Sequence, residues 1–387
     1  MSTPLHIGFI PLVDAAALIV AVDKGFTAEE GLDVTLVREV SWSNVRDKLN
    51  IGLFDAAHLL APVAIASSLG MGHLKVPIAA PFNLGINGNA ITVSPSLHAA
   101  VMAELDGDRF DPMATARALA RVVAARRKRG AEPITFAMTF PFSTHNYQLR
   151  FWMAAGGVDP DEDLRLVVLP PPFMAETLAG GQIDGFCVGE PWNSIAVDRD
   201  VGHILHFVSD IMLRAAEKVL AMRQSWVERH SKDVAALIRA LARGAAFAEQ
   251  NRAETARILA HPERLGVGAD VILRSLDGRL KISSDGTLRE SGRFLLIGRE
   301  EANRPDPVQA AWLYAQMARW QQTPPSREAL KTAMAVFRAD LHDAALGQGR
   351  EAAHAPGGPI GAFAGPAFDP QDVAGYLASF GVPRRAG

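Results

Sequence analysis

The sequence predicts an α/β protein, and three observations indicate this class. Short apolar runs alternate with helical patterns through the first half of the chain, as expected for βα units on a parallel sheet. The chain has 387 residues, which is long for one hydrophobic core and sufficient for two. From Lys218 onward helical patterns predominate, so we expect a helix-rich C-terminal part.

The predicted strands are short apolar runs, most of them separated by helical patterns. In chain order they are His6–Ile10, Leu32–Val37, Phe54–Ala57, Leu74–Ala80, Asn89–Val93, Ile134–Met138, Leu164–Leu169, Gly185–Val188, His203–Phe207 and Val219–Met222. Helical segments between successive strands favour crossover connections, and therefore sheets with parallel neighbours.

The helices are predicted from periodicity and from residues that favour helix ends. Asp14 is the predicted N-cap of an apolar helix from Ala15 to about Lys24, with Gly25 at the C′ position. The other predicted helices are a short one capped by Ser41 or Ser43 and ending near Gly52, one starting near Pro62, Met113–Gly130, Thr144–Ala155 capped by Ser143, most of Val227–Ala260, Val308–Arg319 and Ser326–Ala339. A segment dense in glycine and proline, Pro356–Pro370, is expected to be an irregular loop.

Composition and charge exclude several classes of protein. Hydrophobic residues make up 49% and charged residues 21%, as in an ordinary globular protein. A net charge of −3 provides no long-range field for nucleic acid or an anionic membrane, so we expect neither as a direct partner. The single cysteine, Cys187, cannot form an intramolecular disulfide, and its apolar strand predicts a small core residue.

The N-terminus favours a cytoplasmic protein. A secretory signal has a basic region, an apolar region and a cleavage site with small residues. Here Met1 runs directly into the strand-like segment His6–Ile10 without a basic prelude, and no run of about 18 apolar residues indicates a membrane span.

Two predicted helix starts carry side chains suited to binding an anion. The first N–H groups of a helix lack partners and lie at the positive end of its dipole. Ser143 as N-cap places His145 in the first turn, where its ring can donate to a ligand, and Trp42 lies between two serines at another helix start. The alternatives are a surface histidine beside a routine cap, and a core or interface tryptophan.

Four further residues are candidates for the same site or its surroundings. Asn89 follows a glycine-containing turn and can present its amide N–H₂ group, although the turn alone explains the pattern. Pro171 lies in a tri-proline segment before a helix, which is also typical of a stiff connector. Lys218 precedes an apolar strand, where a buried ammonium group would neutralise a monoanion and an exposed one would protect a strand edge. Glu190 would repel an anion, so we expect a structural or hinge residue.

The order of these motifs resembles the nitrate- and bicarbonate-binding family, the solute-binding components of ABC importers. The resemblance covers about residues 5 to 260. The motifs that carry it are Gly8-Phe9-Ile10-Pro11-Leu12, Ser41-Trp42-Ser43-Asn44, Phe54-Asp55-Ala56-Ala57-His58, Asn87-Gly88-Asn89-Ala90-Ile91-Thr92, His145-Asn146-Tyr147, Pro170-Pro171-Pro172 and Gly189-Glu190-Pro191-Trp192-Asn193.

This resemblance implies a two-lobed periplasmic-binding-protein type II fold, with a mixed sheet flanked by helices in each lobe. Residues 1–94 and 206–387 would form the first lobe, residues 95–205 the second, and the ligand would bind in the cleft between them. The implied ligand set is Trp42, Asn89, His145, the backbone of Pro171, and Lys218, although some relatives carry glutamine at the Asn89 position. The bicarbonate binders place an acidic residue at the last position and use calcium, so Lys218 favours nitrate or nitrite without a metal or cofactor. A ring of donors without acceptors suits nitrate, which has nothing to donate.

The absence of a predicted leader favours the cytoplasmic members of this family. The chain is similar to cytoplasmic nitrate sensors that bind and release an RNA-binding antiterminator of the ANTAR type, and so control nitrate assimilation. The alternative is the nitrate or bicarbonate solute-binding component of an ABC importer. An enzyme on the same fold would need a reactive group such as an activated cysteine, and Cys187 lies in an apolar strand, so we do not expect an enzyme.

Overall fold

The computed structural model describes residues 2–72, 74–347 and 360–380. In chain order the strands are β1 (Thr3–Phe9), β2 (Leu32–Arg38), β3 (Ala56–Leu60), β4 (Ile78–Asn87), β5 (Asn89–Val93), β6 (Thr135–Met138), β7 (Arg165–Val168), β8 (Gly185–Gly189), β9 (His203–Phe207), β10 (Ala216–Arg223), β11 (Arg279–Lys281), β12 (Leu288–Glu290) and β13 (Leu295–Leu296). Most of the predicted strands are confirmed, and Asn89–Val93 and His203–Phe207 have the predicted bounds.

Helices connect and cover these strands. In the first half of the chain they are α1 (Ala16–Asp23), α2 (Phe26–Glu29), α3 (Trp42–Ile51), α4 (Ala61–Leu69), α5 (Pro95–Ala103), α6 (Pro112–Lys128), α7 (Thr144–Ala155), α8 (Met174–Ala179) and α9 (Trp192–Asp198). The second half contains α10 (Val208–Ile211), α11 (Gln224–Arg229), α12 (Ser231–Gln250), α13 (Arg252–Leu259), α14 (Ala269–Asp277), α15 (Pro307–Arg319), α16 (Arg327–Val336), α17 (Ala339–Leu346) and α18 (Val373–Ala378). None of the helices in the described part of the chain is both long and apolar enough to cross a bilayer.

Eleven of the strands in the described residues form two separate mixed sheets, one in each lobe, and β11 and β12 form a small antiparallel pair. The first sheet has the order β13-β4-β10-β3-β1-β2 and the second the order β7-β6-β8-β5-β9. Strand β1 pairs in parallel with β2 and β3, and β6 pairs in parallel with β7 and β8. In each sheet an antiparallel strand interrupts this arrangement, namely β10 in the first and β5 in the second. The predicted two-lobed α/β architecture is confirmed.

The chain passes between the sheets twice, from β4 to β5 and from β9 to β10. The first passage is the pair Asn87-Gly88, with φ angles of 60° and 91°. Both residues lie in the left-handed region, which glycine tolerates best and asparagine better than most residues. A Cβ on Gly88 would also lie 2.8 Å from the side chain of Leu295, so a larger residue cannot replace this glycine without rearrangement.

Two observations on strand pairing and packing bear on the predicted lobe boundaries, which stay a prediction. Strand β5 belongs to the second sheet, so the predicted boundary at residue 94 falls after this strand instead of before it. The C-terminal part, predicted as first lobe, also packs on the second: the Tyr147 hydroxyl donates to Gln322 at 2.7 Å, and the rings of Phe363 and Phe380 pack edge-on against Phe151. The predicted loop Pro356–Pro370 lies partly outside the described residues, and its described part, residues 360–370, contains no helix.

Helix packing against the first sheet depends on one close approach. Helices α1 and α12 lie side by side in a hydrophobic core with the buried faces of β1 and β4. At the contact a Cβ on Gly244 would lie 2.3 Å from the Ala17 carbonyl oxygen and 3.0 Å from the Ala21 side chain. Glycine in the middle of α12 therefore serves the contact between the helices, at some cost to the helix itself.

Replacing Gly244 by alanine is expected to destabilise the protein. Alanine favours a helix by roughly 1 kcal/mol over glycine, but overpacking a tight contact costs about 1–3 kcal/mol, and backbone oxygen cannot move aside easily. We expect the midpoint of urea unfolding, followed by circular dichroism, to fall. Gly292→Ala is the control, since its Cβ would meet no heavy atom of the described residues within 4 Å. A Gly244→Ala variant more stable than the wild type would contradict this account.

Candidate functional site

A buried lysine ammonium group lies at the centre of the candidate site. The side chain of Lys218 is 0% exposed, and its Nζ atom is 2.9 Å from Asp14 Oδ2 and 3.6 Å from Glu217 Oε2. The same Nζ atom lies 5.5 Å from the ring centroid of Trp42, within the range of a cation–π contact. Because all these side chains are buried, their charges interact with little screening by water.

A β-bulge explains how Glu217 and Lys218 face the same space. Consecutive residues of a regular strand point to opposite faces of the sheet. The pairing of β10 with β4 shifts register between Ala216 and Lys218, and again between Lys218 and Val219. Bulges re-aim side chains in this way and are common beside functional sites.

Asp14 is a partner of the lysine and not a helix cap. It lies in a short 3₁₀ helix, Val13–Ala15, and the residue before α1 is Ala15, which makes no side-chain cap. The Asp14 carboxylate instead accepts from His58 Nε2 at 2.9 Å and faces Lys218. The predicted N-cap role of Asp14 is therefore wrong, because two tertiary partners compete for its oxygens.

The charges around Asp14 fix its protonation. Burial raises the pKa of Asp14, but the Lys218 ammonium and the hydrogen bond from His58 outweigh it and hold that pKa well below its ordinary value. Burial lowers the pKa of His58. Since His58 Nδ1 accepts the backbone N–H of Ile10 at 3.5 Å, the neutral ring carries its proton on Nε2, toward the carboxylate. The result is a fixed Asp14–Lys218 ion pair held by a neutral histidine.

Two predicted N-caps are confirmed, and they position the aromatic residues of the site. Ser41 accepts from the N–H of Asn44 at 3.3 Å, which places Trp42 in the first turn of α3. Ser143 accepts from the N–H of Asn146 in the same way and places His145 in the first turn of α7. His145 is 0% exposed, so the alternative of a surface histidine is wrong.

His145 and Trp42 each keep a ring nitrogen without a protein partner. His145 Nδ1 lies 3.0 Å from the Thr139 hydroxyl, and burial, followed by the Lys218 charge, holds the pKa of this histidine well below its ordinary value. The Trp42 ring packs on the His58 ring with centroids 5.5 Å apart. The His145 Nε2 and Trp42 Nε1 atoms find no hydrogen-bond partner among the described residues.

Asn89 is oriented by a chain of amide hydrogen bonds. Its Nδ2 atom donates to Gln148 Oε1 at 3.2 Å, and Gln148 Nε2 donates to Glu217 Oε1 at 2.7 Å. Glu217 Oε2 also accepts from the Thr144 hydroxyl. The predicted donor role of the Asn89 N–H₂ group is therefore not what the structure shows: that group is occupied, and Oδ1 is the atom left without a partner in the described protein.

Two other candidates stand apart from this cluster. Pro171 begins a 3₁₀ helix, and its carbonyl accepts from the Met174 N–H. No hydrogen bond, ion pair or ring contact of the described residues joins Pro171 to the cluster, so its ligand role stays a prediction. Burial raises the pKa of Glu190 to about 7, and its Oε2 atom accepts from Ser194 N and Ser275 Oγ. It thus links α9 to α14, while its predicted hinge role is untested.

Several buried polar atoms near Lys218 lack a hydrogen-bond partner among the described residues. Leaving such an atom unpaired costs about 1–3 kcal/mol, so a group of them indicates a site for a small polar ligand. A Cβ on Gly189 would lie 3.3 Å from Asn89 Oδ1 and 3.6 Å from Asp14 Oδ2, so both oxygens lie near Gly189. The atoms of the cluster without any polar partner among the described residues are Trp42 Nε1, His145 Nε2 and Asn89 Oδ1, while Lys218 Nζ and Asp14 Oδ2 have their ion pair with each other.

The residues that sequence reasoning missed are the carboxylates and their partners. Glu217 lies beside Lys218 in a strand that is apolar from Val219 to Met222. Two adjacent charged residues in such a strand are a signal of a functional site that sequence reasoning could have used. Asp14, His58 and Gln148 gave no comparable signal, because each acquires its role from residues distant in the sequence. Cys187 is a buried core residue as predicted; its thiol donates to Gln148 Oε1, and burial raises its pKa, which disfavours a nucleophilic thiolate.

Three comparisons with known proteins find related proteins that agree with one another. The model of the NMT1-like family matches residues 1–261. The chain is 33% identical over 395 residues to the nitrate import ATP-binding protein NrtC of Synechocystis and 31% identical over 387 residues to the bicarbonate transport ATP-binding protein CmpC of Synechococcus elongatus. Each match covers 98% of this chain, which spans about 55% of the length of these relatives. The crystal structure of the periplasmic nitrate-binding protein NrtA from Synechocystis PCC 6803 is similar at a TM-score of 0.87, with 27% identity and 98% of each chain covered.

Replacing Asp14 by asparagine is expected to lower the free energy of unfolding, by less than the roughly 3–5 kcal/mol of a fully broken buried pair, because Glu217 still faces the Lys218 ammonium at 3.6 Å. Urea unfolding at neutral pH measures this loss. Since the folded-state pKa of Asp14 is depressed, its contribution is complete above the unfolded-state pKa and is lost as the pH falls through the folded-state value. The difference in unfolding free energy between the variant and the wild type should therefore become smaller below about pH 4.

Asp340→Asn is the matched control for this prediction. Asp340 pairs with Arg338 at 2.6 Å, but its side chain is 64% exposed, so the substitution should cost at most about 1 kcal/mol. Equal losses in the two variants would show that the buried pair does not organise the site.

Proposed function

Because this chain belongs to the NMT1-like family, we propose that it is a solute-binding protein for a small inorganic monoanion of the nitrate, nitrite or bicarbonate class, and serves an importer. The names of its relatives support both the ligand class and the transport role. The cluster around Lys218 supplies the chemistry.

The observation that carries this proposal is a buried ammonium group beside unpaired ring nitrogens. Lys218 brings a buried positive charge, and Trp42 Nε1 carries a hydrogen that no described residue accepts. His145 adds a second unpaired ring nitrogen to the same cluster. A charge-assisted hydrogen bond is about twice as strong as a neutral one, so an anion is the ligand that these groups favour.

The acceptors in the cluster widen the ligand class beyond nitrate. The expected ring of donors without acceptors is not present, because Asn89 Oδ1 and Asp14 Oδ2 are also without hydrogen-bond partners among the described residues. Nitrate and nitrite can only accept hydrogen bonds, whereas bicarbonate also carries an O–H group that can donate to one of these oxygens. We therefore propose both kinds of anion as candidates.

The cytoplasmic sensor predicted from the sequence is the second candidate within binding proteins. It has the same anion chemistry and differs in its partner, an RNA-binding antiterminator of the ANTAR type. The relatives are named for import and transport, so we place the importer role first. The enzyme alternative has less support, since Cys187 is buried and protonated.

Calorimetric titration with nitrate, nitrite, bicarbonate and chloride tests the proposed ligand class. We expect binding of at least one of the oxyanions, with chloride weaker. Trp42→Phe keeps most of the ring packing but removes the N–H donor, so it should weaken binding about tenfold, which corresponds to about 1.4 kcal/mol. Trp226→Phe is the control, a buried tryptophan stacked on His230. Absence of oxyanion binding at millimolar ligand would contradict the proposal.

Copurification from the source cells, with and without nitrate or bicarbonate, distinguishes the two binding roles. An importer component should crosslink to membrane-embedded transporter subunits, and more strongly when its ligand is present. A sensor should instead copurify with an RNA-binding protein that leaves when nitrate is added. The second result would overturn the importer role while leaving the anion site intact.

A further inference from the structure

Glu217, Gln148 and Asn89 form a series of buried, hydrogen-bonded side chains. The direction of their hydrogen bonds supports an inference that rests on the proposed function. Glu217 Oε1 accepts from Gln148 Nε2 at 2.7 Å, and Gln148 Oε1 accepts from Asn89 Nδ2 at 3.2 Å. All three side chains are fully buried, so water does not replace these bonds. We call this series the amide relay.

The charge of Glu217 fixes the direction of the amide relay. An ionised carboxylate can only accept hydrogen bonds, so Gln148 must turn its N–H₂ group toward Glu217. Its oxygen then faces Asn89, which must in turn offer its own N–H₂ group. Consequently the Asn89 oxygen is left without a partner in the described protein, as the structure shows.

A protonated Glu217 permits the opposite direction. The carboxyl O–H donates to the Gln148 oxygen, the Gln148 N–H₂ group donates to the Asn89 oxygen, and the Asn89 N–H₂ group turns toward the ligand. No backbone movement is needed, because an amide exchanges its oxygen and nitrogen by rotating about one side-chain bond. Asn89 thereby changes from an acceptor to a donor.

We propose that Glu217 sets the anion preference of the site by fixing, through Gln148, which end of the Asn89 amide faces the ligand. With Glu217 ionised, the site favours an anion that carries an O–H group, such as bicarbonate. With Glu217 protonated, it favours an anion that only accepts hydrogen bonds, such as nitrate. Nitrate binding therefore takes up one proton.

The surroundings of Glu217 make its protonation sensitive to the ligand. Lys218 lies 3.6 Å away on the same strand, α7 contributes Thr144 and Gln148 as donors, and the Asn89 side chain on β5 also interacts directly with Glu217. Burial raises the pKa of Glu217, while Lys218 acts in the opposite direction. Of the other titratable groups, Cys187 on β8 interacts electrostatically with Glu217. Asp14 and His145 interact electrostatically with the Lys218 ammonium.

The charge balance acts in the same direction as the amide relay. Two carboxylates, Asp14 and Glu217, share the single ammonium group of Lys218, and the histidines His58 and His145 are neutral because burial lowers their pKa values. An incoming anion adds a further negative charge in a space of low dielectric constant. Protonating one carboxylate removes this excess, and Glu217 is the one whose pKa lies above its ordinary value.

Calorimetry over about pH 6 to about pH 9, in buffers of different ionisation enthalpy, tests the proposal. For the wild type we expect uptake of about one proton per nitrate on the alkaline side of the Glu217 titration, and up to about a tenfold loss of nitrate affinity per pH unit there. Bicarbonate, followed over about pH 7 to about pH 9, should show a smaller loss, because it adds the same charge but its O–H group favours the ionised form of Glu217. In Glu217→Gln the new amide can donate to Gln148 at any pH, so nitrate affinity should become independent of pH, without proton uptake.

Glu190→Gln is the matched control. Glu190 is also a buried carboxyl group, with a pKa raised to about 7, but it lies outside the amide relay. This variant should keep the proton uptake of the wild type. If Glu217→Gln does not fold, Gln148→Met interrupts the relay and should remove the pH dependence of the preference for nitrate over bicarbonate.

The outcomes separate this proposal from the proposed function. Nitrate binding that is independent of pH in the wild type would overturn the amide relay alone. Loss of proton uptake in Glu190→Gln, with uptake retained in Glu217→Gln, would also overturn it. A wild-type protein that binds no oxyanion at any pH would overturn the anion-binding function and this proposal together.

Discussion

The ion pair between Lys218 and Asp14 is the interaction on which the rest of the site depends. It joins the returning strand β10 to the turn that follows β1, and His58 fixes it by bonding to the same carboxylate. An ammonium group loses several kcal/mol of hydration when it is buried, and the paired carboxylate offsets part of that loss. Because the 2.9 Å contact does not satisfy the hydrogen-bonding capacity of Nζ, the lysine remains available to a ligand.

The site is assembled from both lobes, which relates ligand binding to their relative motion. Lys218 and Trp42 belong to elements of the first lobe, whereas His145 and Asn89 belong to elements of the second. Hinge closure around a ligand is a common device in two-lobed proteins, and here the Glu217 carboxylate of the first lobe accepts hydrogen bonds from Thr144 and Gln148 of the second.

The sequence predicts local features of this protein better than its tertiary contacts. Thr144–Ala155 and its Ser143 cap were predicted because cap and periodicity are local signals. Strand β4 was predicted as Leu74–Ala80 but is Ile78–Asn87, because its polar and glycine residues suggested a turn although the whole strand is buried. The Lys218 ammonium lies 5.5 Å from the Trp42 ring and acts on the pKa of His145, while the ligand roles of these residues stay predictions. Asn89 has its N–H₂ group occupied by Gln148. That orientation depends on Glu217 and on a bulge, neither of which leaves a periodic signal.

The bulge in β10 has an evolutionary consequence. It places two consecutive side chains in the same binding space, while the backbone pairs with β3 and β4 on either side of the irregularity. Each of these two residues is encoded by one codon. Point mutations can therefore change the formal charge inside the site by one or two elementary charges. The net charge of this buried region can therefore change while the sheet that carries it stays the same.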